Sequence, residues 1–173
     1  MDKKTKRLLG KGEIRKGIKM LAEKIDNDYE GASPVIICIL KGAFVFLADL
    51  IRELKIPMKL DFISVSSYGD SSRTRGVVKI LKDISIDIAG EDVIIVEDIV
   101  DTGLTLVSVH DFIKRKNPRS LKICTLLEKK VKRVKKVKID YRGFVVPNKY
   151  VIGYGLDFGE KHRNLPEIRI MEL

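Results

Sequence analysis

The stretch Val93 to Leu106, VIIVEDIVDTGLTL, decides how the rest of the chain is read. Its first four residues, Val93, Ile94, Ile95 and Val96, form an unbroken apolar run of the kind that fills a parallel strand covered on both faces. Glu97 and Asp98 stand where that strand is expected to end. The turn Asp101-Thr102-Gly103-Leu104-Thr105 then opens a periodic helix. In an open α/β sheet, ligands bind beyond the carboxyl ends of the strands. A Gly/Thr turn entering a helix N-terminus offers unpaired N–H groups and the positive end of the helix dipole, which suit a phosphate.

Taken singly, these residues have plainer explanations. Asp101 and Thr102 are residue types that cap helices, and Glu97 and Asp98 are ordinary polar residues for a strand exit. The complete order is more specific. Carboxylates beside a phosphate repel it unless a metal ion or sugar hydroxyls lie between them. A phosphate cradle preceded by an acid pair therefore fits a phosphoribosyl diphosphate (PRPP) site.

Outward from that stretch, the chain of 173 residues is expected to form one domain with a substantial core. Its 45% hydrophobic and 34% charged content excludes a disordered chain. The start, MDKKTKRLLGKGEI, is basic without an apolar h-region, which argues against a secretory signal. The most apolar region, Val35 to Ile51, is interrupted by Lys41, Gly42 and Asp49, which argues against a membrane span. Cys38 and Cys124 each sit in an apolar run, as buried thiols of a reducing compartment do; a cytoplasmic protein is expected.

The net charge of +10 is local. Lys129 to Lys138 reads KKVKRVKKVK, with seven basic residues, three valines and no acid, so the remainder carries only about +3. Such a tract can serve nucleic acid. It also suits an edge strand or hairpin whose lysines discourage edge pairing, and no aromatics interleave it as they do on single-strand binding surfaces. The edge-strand reading is preferred, and nucleic acid is not expected as a partner.

The apolar pattern predicts a helix over Glu13–Tyr29, a strand over Val35–Leu40, a helix over Gly42–Leu54 and a strand over Met58–Val65. Ser66–Gly76 is polar and turn-rich and reads as a mobile loop. Strands are predicted at Val77–Leu81, Asp92–Glu97 and Ser120–Leu127, a helix at Thr105–Lys116, and short strands at Tyr150–Tyr154 and Glu167–Met171. Alternating strands and helices imply a mainly parallel α/β sheet with helices on both faces. Leu40-Lys41-Gly42 repeats the strand–turn–helix arrangement of the first site and supplies a lysine suited to a pyrophosphate. GYGLDFG, Gly153 to Gly159, lacks the following helix of a dinucleotide fingerprint, and no Walker A sequence occurs. Two histidines without a nearby cysteine partner argue against structural zinc, and no nucleophile motif stands out.

VIIVEDIVDTGLT resembles the PRPP-binding signature of type I phosphoribosyltransferases, and the other motifs resemble their hypoxanthine-guanine branch. Leu40-Lys41-Gly42 is similar to the family's pyrophosphate loop, which carries a non-proline cis peptide at the Leu-Lys bond. Ser67-Tyr68 matches its flexible loop, Lys129 after Thr125-Leu126-Leu127 its purine 6-oxo contact, and Arg163 a pyrophosphate-binding arginine. Tyr150-Val151 and Gly153-Tyr154-x-Leu156-Asp157 match its base pocket. The matches run in order from about residue 40 to 165.

The resemblance implies a twisted, mainly parallel sheet flanked by helices, with a small hood from the chain termini. It implies transfer of 5-phosphoribose from PRPP to N9 of hypoxanthine or guanine, with Mg²⁺ as cofactor and a homo-oligomeric assembly. Glu97 and Asp98 are expected at the ribose hydroxyls and the metal, with Asp157 at a second metal or a 2-amino group. Asp101 is expected to act as acid/base at purine N7. Thr102, Gly103, Leu104 and Thr105 would cradle the 5′-phosphate, and Leu40, Lys41, Gly42 and Arg163 the pyrophosphate. Tyr150 would stack on the purine and the Val151 backbone would meet its edge, although a core strand pair explains those two equally well. Some members carry lysine at the position of Leu104, and the tract after Lys129 matches no motif, which leaves Lys130 as an alternative to Lys129. A regulator of the same fold that binds nucleic acid through residues 129–138 is the competing class. An adenine or pyrimidine phosphoribosyltransferase would share the signature but leave Lys129 and Asp157 together unexplained.

Overall fold

The computed structural model describes residues 4–68, 77–131 and 137–172. Nine strands and three helices follow one another in these segments. They are β1 (Thr5–Leu9), α1 (Lys11–Asp28), β2 (Val35–Leu40), α2 (Phe44–Glu53), β3 (Lys59–Tyr68) and β4 (Val77–Lys82), then β5 (Asp92–Val100), α3 (Leu104–Lys114), β6 (Ser120–Lys129), β7 (Tyr141–Val146), β8 (Tyr150–Ile152) and β9 (Ile168–Met171).

Six strands form the central sheet in the order β4-β3-β2-β5-β6-β7, parallel throughout except for the antiparallel β3–β4 pair. Its middle strands are apolar on both faces because both faces are covered. Ile36, Cys38, Ile94 and Val96 pack with Ile14, Ile18, Leu21 and Ile25 of α1 and Phe46, Leu47 and Leu50 of α2. The alternate residues Val35, Ile37, Val93 and Ile95 pack with Leu106, Val109 and Ile113 of α3. Each such aliphatic side chain removed from water contributes about 1.5–3 kcal/mol. The α1 stripe begins at Lys11, two residues before its expected start, because the Glu13 carboxylate accepts a hydrogen bond from Gly10 N–H (2.8 Å).

Sheet order places the switch point between β2 and β5, from which the chain runs outward in opposite directions. The pairing of β2 with β5 stops at Cys38↔Val96, whereas β5 stays paired with β6 as far as Val100↔Glu128. Glu97 and Asp98 therefore lie inside β5 rather than at its end. They face the crevice because β2 has turned away beside them.

The two strands absent from the sequence pattern are β1 and β7. β1 is polar along much of its length and pairs antiparallel with β9, which pairs with β8, so both chain ends meet in a small three-stranded sheet. β7 is interrupted by Gly143, where an added Cβ would stand 2.6 Å from Leu126 O of the neighbouring strand. The edge-strand or hairpin reading of the basic tract is corrected here. Lys129 closes β6, and β7 starts only at Tyr141 and runs parallel to it, so the two strands do not form a hairpin across the tract. Val137 and Ile139 pack against the α3-side core; residues 132–136 lie outside the described segments. Of the expected mobile loop Ser66–Gly76, Ser66, Ser67 and Tyr68 belong instead to β3, which pairing with β4 extends, and 69–76 lie outside the described segments.

Candidate functional site

Four segments converge at the carboxyl ends of the parallel strands. From β2 comes Leu40-Lys41-Gly42, with a cis peptide between Leu40 and Lys41. From β5 come Glu97, Asp98 and the turn into α3. The end of β6 brings Lys129, and the 153–163 loop brings Asp157, Glu160 and Arg163. A cavity of about 470 Å³ is lined by Lys41, Gly42, Glu97, Asp98, Asp157 and Arg163 among others. A smaller one of about 220 Å³ adjoins it, lined by Glu97, Asp101, Thr102, Gly103, Leu104 and Thr105.

The α3 entrance is held open. Its N-cap is Gly103 in the left-handed region (φ 83°), and no side chain caps the helix, so capping by Asp101 or Thr102 does not occur. Helix N–H groups left without side-chain partners beside a cavity form an anion cradle. The sheet end is equally shaped by what is missing. An added Cβ on Gly42 would fall 1.8 Å from Asp98 Oδ2, and one on Gly155 (φ 96°) would fall 2.2 Å from Gly42 O. The Gly42 loop is thus packed against the Asp98 carboxylate of β5 on one side and the Gly155 backbone on the other.

Asp98 is buried and its Oδ1 accepts from Ile99 N–H (2.7 Å). Burial pushes the Asp98 and Glu97 carboxyls up, and the charge of Asp98 adds to the effect on Glu97. The same acids, after burial itself, help push the Cys38 thiol up to about 12. Glu97 Oε2 is sealed from solvent without a hydrogen-bond partner. An orphaned buried carboxylate oxygen beside a second carboxylate fits a hard divalent cation. Among the described residues no three ligating side chains gather into a cage. That suits Mg²⁺, which keeps several waters and takes only one or two carboxylates beside substrate phosphates.

Asp101 and Lys129 form an ion pair, Nζ to Oδ2 2.7 Å, with the Lys129 side chain only 13% exposed. Lys129 rather than Lys130 reaches the site, since Lys130 is exposed and its backbone N–H donates to Val146 O. Arg163 donates to Gly155 O (2.8 Å) and pairs with Asp157 (2.8 Å) and Glu160 (3.2 Å). Tyr150 is partly exposed, meets Phe158 edge to face at 5.3 Å and donates to Asp157 O (3.1 Å). Burial, then the charge of Asp157, pushes its phenol up. Val151 is buried in β8. Of the expected site residues, only the Ser67 and Tyr68 side chains fall outside what is described.

Residues 4–159 match the phosphoribosyl transferase domain family. The chain belongs to that family. It is 44% identical over 171 residues to the hypoxanthine-guanine phosphoribosyltransferase of Aquifex aeolicus, covering 98% of this chain and 96% of that one. It is 42% identical over 165 residues to the enzyme of that name from Bacillus subtilis, covering 95% and 92%. A crystal structure of a hypoxanthine-guanine phosphoribosyltransferase from Bacillus anthracis superposes with a TM-score of 0.93 at 45% identity, covering 99% of this chain and 100% of that one. The fold is therefore the type I phosphoribosyltransferase fold.

Two features of this family member escaped the sequence. Tyr154, buried and at φ 54°, hydrogen-bonds through its hydroxyl to Asp49 of α2, tying the 153–157 loop to the helix that follows Lys41. Glu160 bridges Lys41 and Arg163 through one carboxylate oxygen. Neither lies in a periodic pattern, and only the folded loops bring the partners together.

Proposed function

We propose that the chain salvages purines by joining the 5-phosphoribosyl group of PRPP to N9 of hypoxanthine or guanine, giving IMP or GMP and pyrophosphate. The observation that carries this reading is the Asp101–Lys129 ion pair, which joins the turn before α3 to the end of β6. In this reading the one acid and the one donor meet the base, and the α3 entrance anchors the sugar through its phosphate.

The C1–oxygen bond to pyrophosphate breaks as N9 approaches, so positive charge develops on the sugar and negative charge on the leaving group. Thr102, Gly103, Leu104 and Thr105 hold the 5′-phosphate through helix N–H groups. Lys41 and Arg163 place fixed positive charge at the diphosphate, with Leu40 and Gly42 shaping the loop; preorganised charge of this kind is usually the largest catalytic contribution. Glu97 and Asp98 orient the ribose hydroxyls. Asp101 exchanges the purine proton at N7, a contribution of typically ~10²–10⁴ in rate. Glu97 and Asp98 would hold Mg²⁺, which when bound neutralises the leaving group as a Lewis acid, and Asp157 would serve a second metal or a 2-amino group. Tyr150 stacks on the purine, the Val151 backbone meets its edge, and Ser67 and Tyr68 serve the site from the end of β3.

Lysine is a donor only, so Lys129 satisfies a 6-oxo group and confronts adenine's 6-amino group with another donor. A mismatched buried polar pair discriminates by factors of ~10⁴. The chain acts as one catalytic unit over residues 1–173. Its two buried thiols suit a reducing cytoplasm. Phe44, 44% exposed beside an apolar groove on the α1–α2 face, suits a homo-oligomer. No helix among the described residues is long and apolar enough to cross a membrane. The nucleic-acid regulator is not favoured by the relatives, all of the three named above being phosphoribosyltransferases. Incubation with PRPP, Mg²⁺ and each common base tests the assignment: IMP and GMP are expected, and AMP as the main product, or no nucleotide, refutes it.

A further inference from the structure

Resting on that reading, we infer that Glu160 is an internal counter-anion that occupies the diphosphate cations when the site is empty and competes with pyrophosphate for them. Glu160 Oε2 lies 3.0 Å from Lys41 Nζ and 3.2 Å from Arg163 Nη2. One carboxylate oxygen thus bridges the two cations, which come from separate loops of the cleft. That is the arrangement a phosphate oxygen would take.

The backbone holds Glu160 in place for this. Its φ is 63°, a left-handed conformation uncommon for a residue with a side chain, and its N–H donates to Asp157 Oδ2 (2.8 Å). Departures of that kind collect where a side chain must be aimed. The two cations, Lys41 before Arg163, hold the Glu160 carboxyl below the usual carboxylate range, so it stays charged at neutral pH.

The pair with Lys41 is solvated on both sides, with side chains 67% and 66% exposed. Contacts so exposed are weak and easily exchanged. Glu160 therefore yields to the diphosphate of an arriving substrate and returns as product pyrophosphate leaves. Its presence raises the dissociation constant for pyrophosphate and limits product inhibition. Asp157, which also pairs with Arg163, cannot substitute, because no contact joins it to Lys41.

Two variants test this, Glu160→Gln and Glu160→Ala. Exposed ion pairs of this kind set an expected gain of about two- to tenfold in affinity for inorganic pyrophosphate. Calorimetric titration of pyrophosphate, with and without Mg²⁺, measures it, and competition by IMP with hypoxanthine serves as a reference that should not move. Equal or weaker pyrophosphate binding by both variants overturns the inference: weaker binding would mean that Glu160 serves to align Arg163. If the wild-type protein takes up pyrophosphate and the variants do so no better, the salvage activity stands and only the role of Glu160 falls. If the wild type takes up none even with Mg²⁺, the proposed function falls first.

Discussion

Replacing Gly42 by alanine adds one methyl group at the most crowded point of the site. An ideal Cβ there lies 1.8 Å from Asp98 Oδ2 and 2.7 Å from its carboxyl carbon, where non-bonded atoms settle near 3.5 Å. Something must therefore move by about 1.5 Å. Gly42 is not among the residues with a left-handed backbone, so alanine is not opposed by its own φ and the clash is purely local. The backbone around it cannot give easily, because the Gly155 backbone lies so close that a Cβ there would fall 2.2 Å from Gly42 O. The Asp98 carboxylate is the group left to swing away, losing its place beside Glu97. Overpacking of this kind costs about 1–3 kcal/mol of stability, small enough to leave the chain folded. A displacement of about 1 Å at a reacting site costs roughly 10²-fold in rate. Gly42→Ala is thus expected to keep a cooperative thermal transition while losing about 10²-fold in nucleotide formation, with a raised Mg²⁺ requirement. Wild-type turnover and Mg²⁺ dependence in a folded Gly42→Ala protein would refute the reasoning.

Three further outcomes follow from the same geometry. Asp101→Asn should lower kcat for IMP formation by about 10² or more while leaving the PRPP dissociation constant within a fewfold, and equal losses in both would remove the acid/base role. Lys129→Ala should narrow the kcat/KM ratio between hypoxanthine and adenine, and unaltered selectivity would place the 6-oxo contact elsewhere. The buried Asp61 accepts hydrogen bonds from Phe62, Ser85 and Ile86 N–H groups; burial opposes its ionisation, but these donors and Lys82 outweigh it and leave the carboxyl below its usual range. Its stabilisation is therefore full above pH ~4, its unfolded value, and declines as pH falls through the folded value. Asp61→Ala should cost about 3 kcal/mol in urea unfolding at pH 7 and flatten the acid limb of the stability profile; an unchanged acid limb would contradict the pairing.

What could be read from the chain alone depended on where hydrophobic pattern and function coincide. β2 announces itself at its full length, Val35–Leu40, because burial on both faces demands an unbroken apolar run. β5 was legible only as far as Glu97. The acid pair Glu97-Asp98 interrupts its apolar run, and pairing with β6 carries the strand past the interruption to Ile99 and Val100, which pack in the cores again. β1 and β7 gave no such signal, one being polar along much of its length and the other broken by Gly143. Lys129 to Lys138 is dense in lysine, as a guarded edge strand or hairpin would be, yet Lys129 closes β6 and β7 starts only at Tyr141 and runs parallel to it. Among site residues, the cradle at 101–105 was legible because its residue types have local causes. Glu160 and Asp49 were not, since an exposed acid carries no information about a partner 119 or 105 positions away.

The crevice itself follows from a single loss of pairing. Had β2 continued beside β5 beyond Val96, the side chains of residues 97 and 98 would be enclosed by a neighbouring strand, and two buried acids there would be intolerable. Because β2 turns away after Leu40, the space it vacates is bounded by Lys41 and Gly42 on one side and the α3 entrance on the other. The acids still pay in part, since burial pushes both carboxyls up and one Glu97 oxygen has no partner. That unfavourable arrangement persists because the sheet beneath it, from Ile36 and Cys38 to Ile94 and Val96, is fully buried and holds the strands whether or not the acids are comfortable. A site of this kind is stabilised by whatever positive charge enters it.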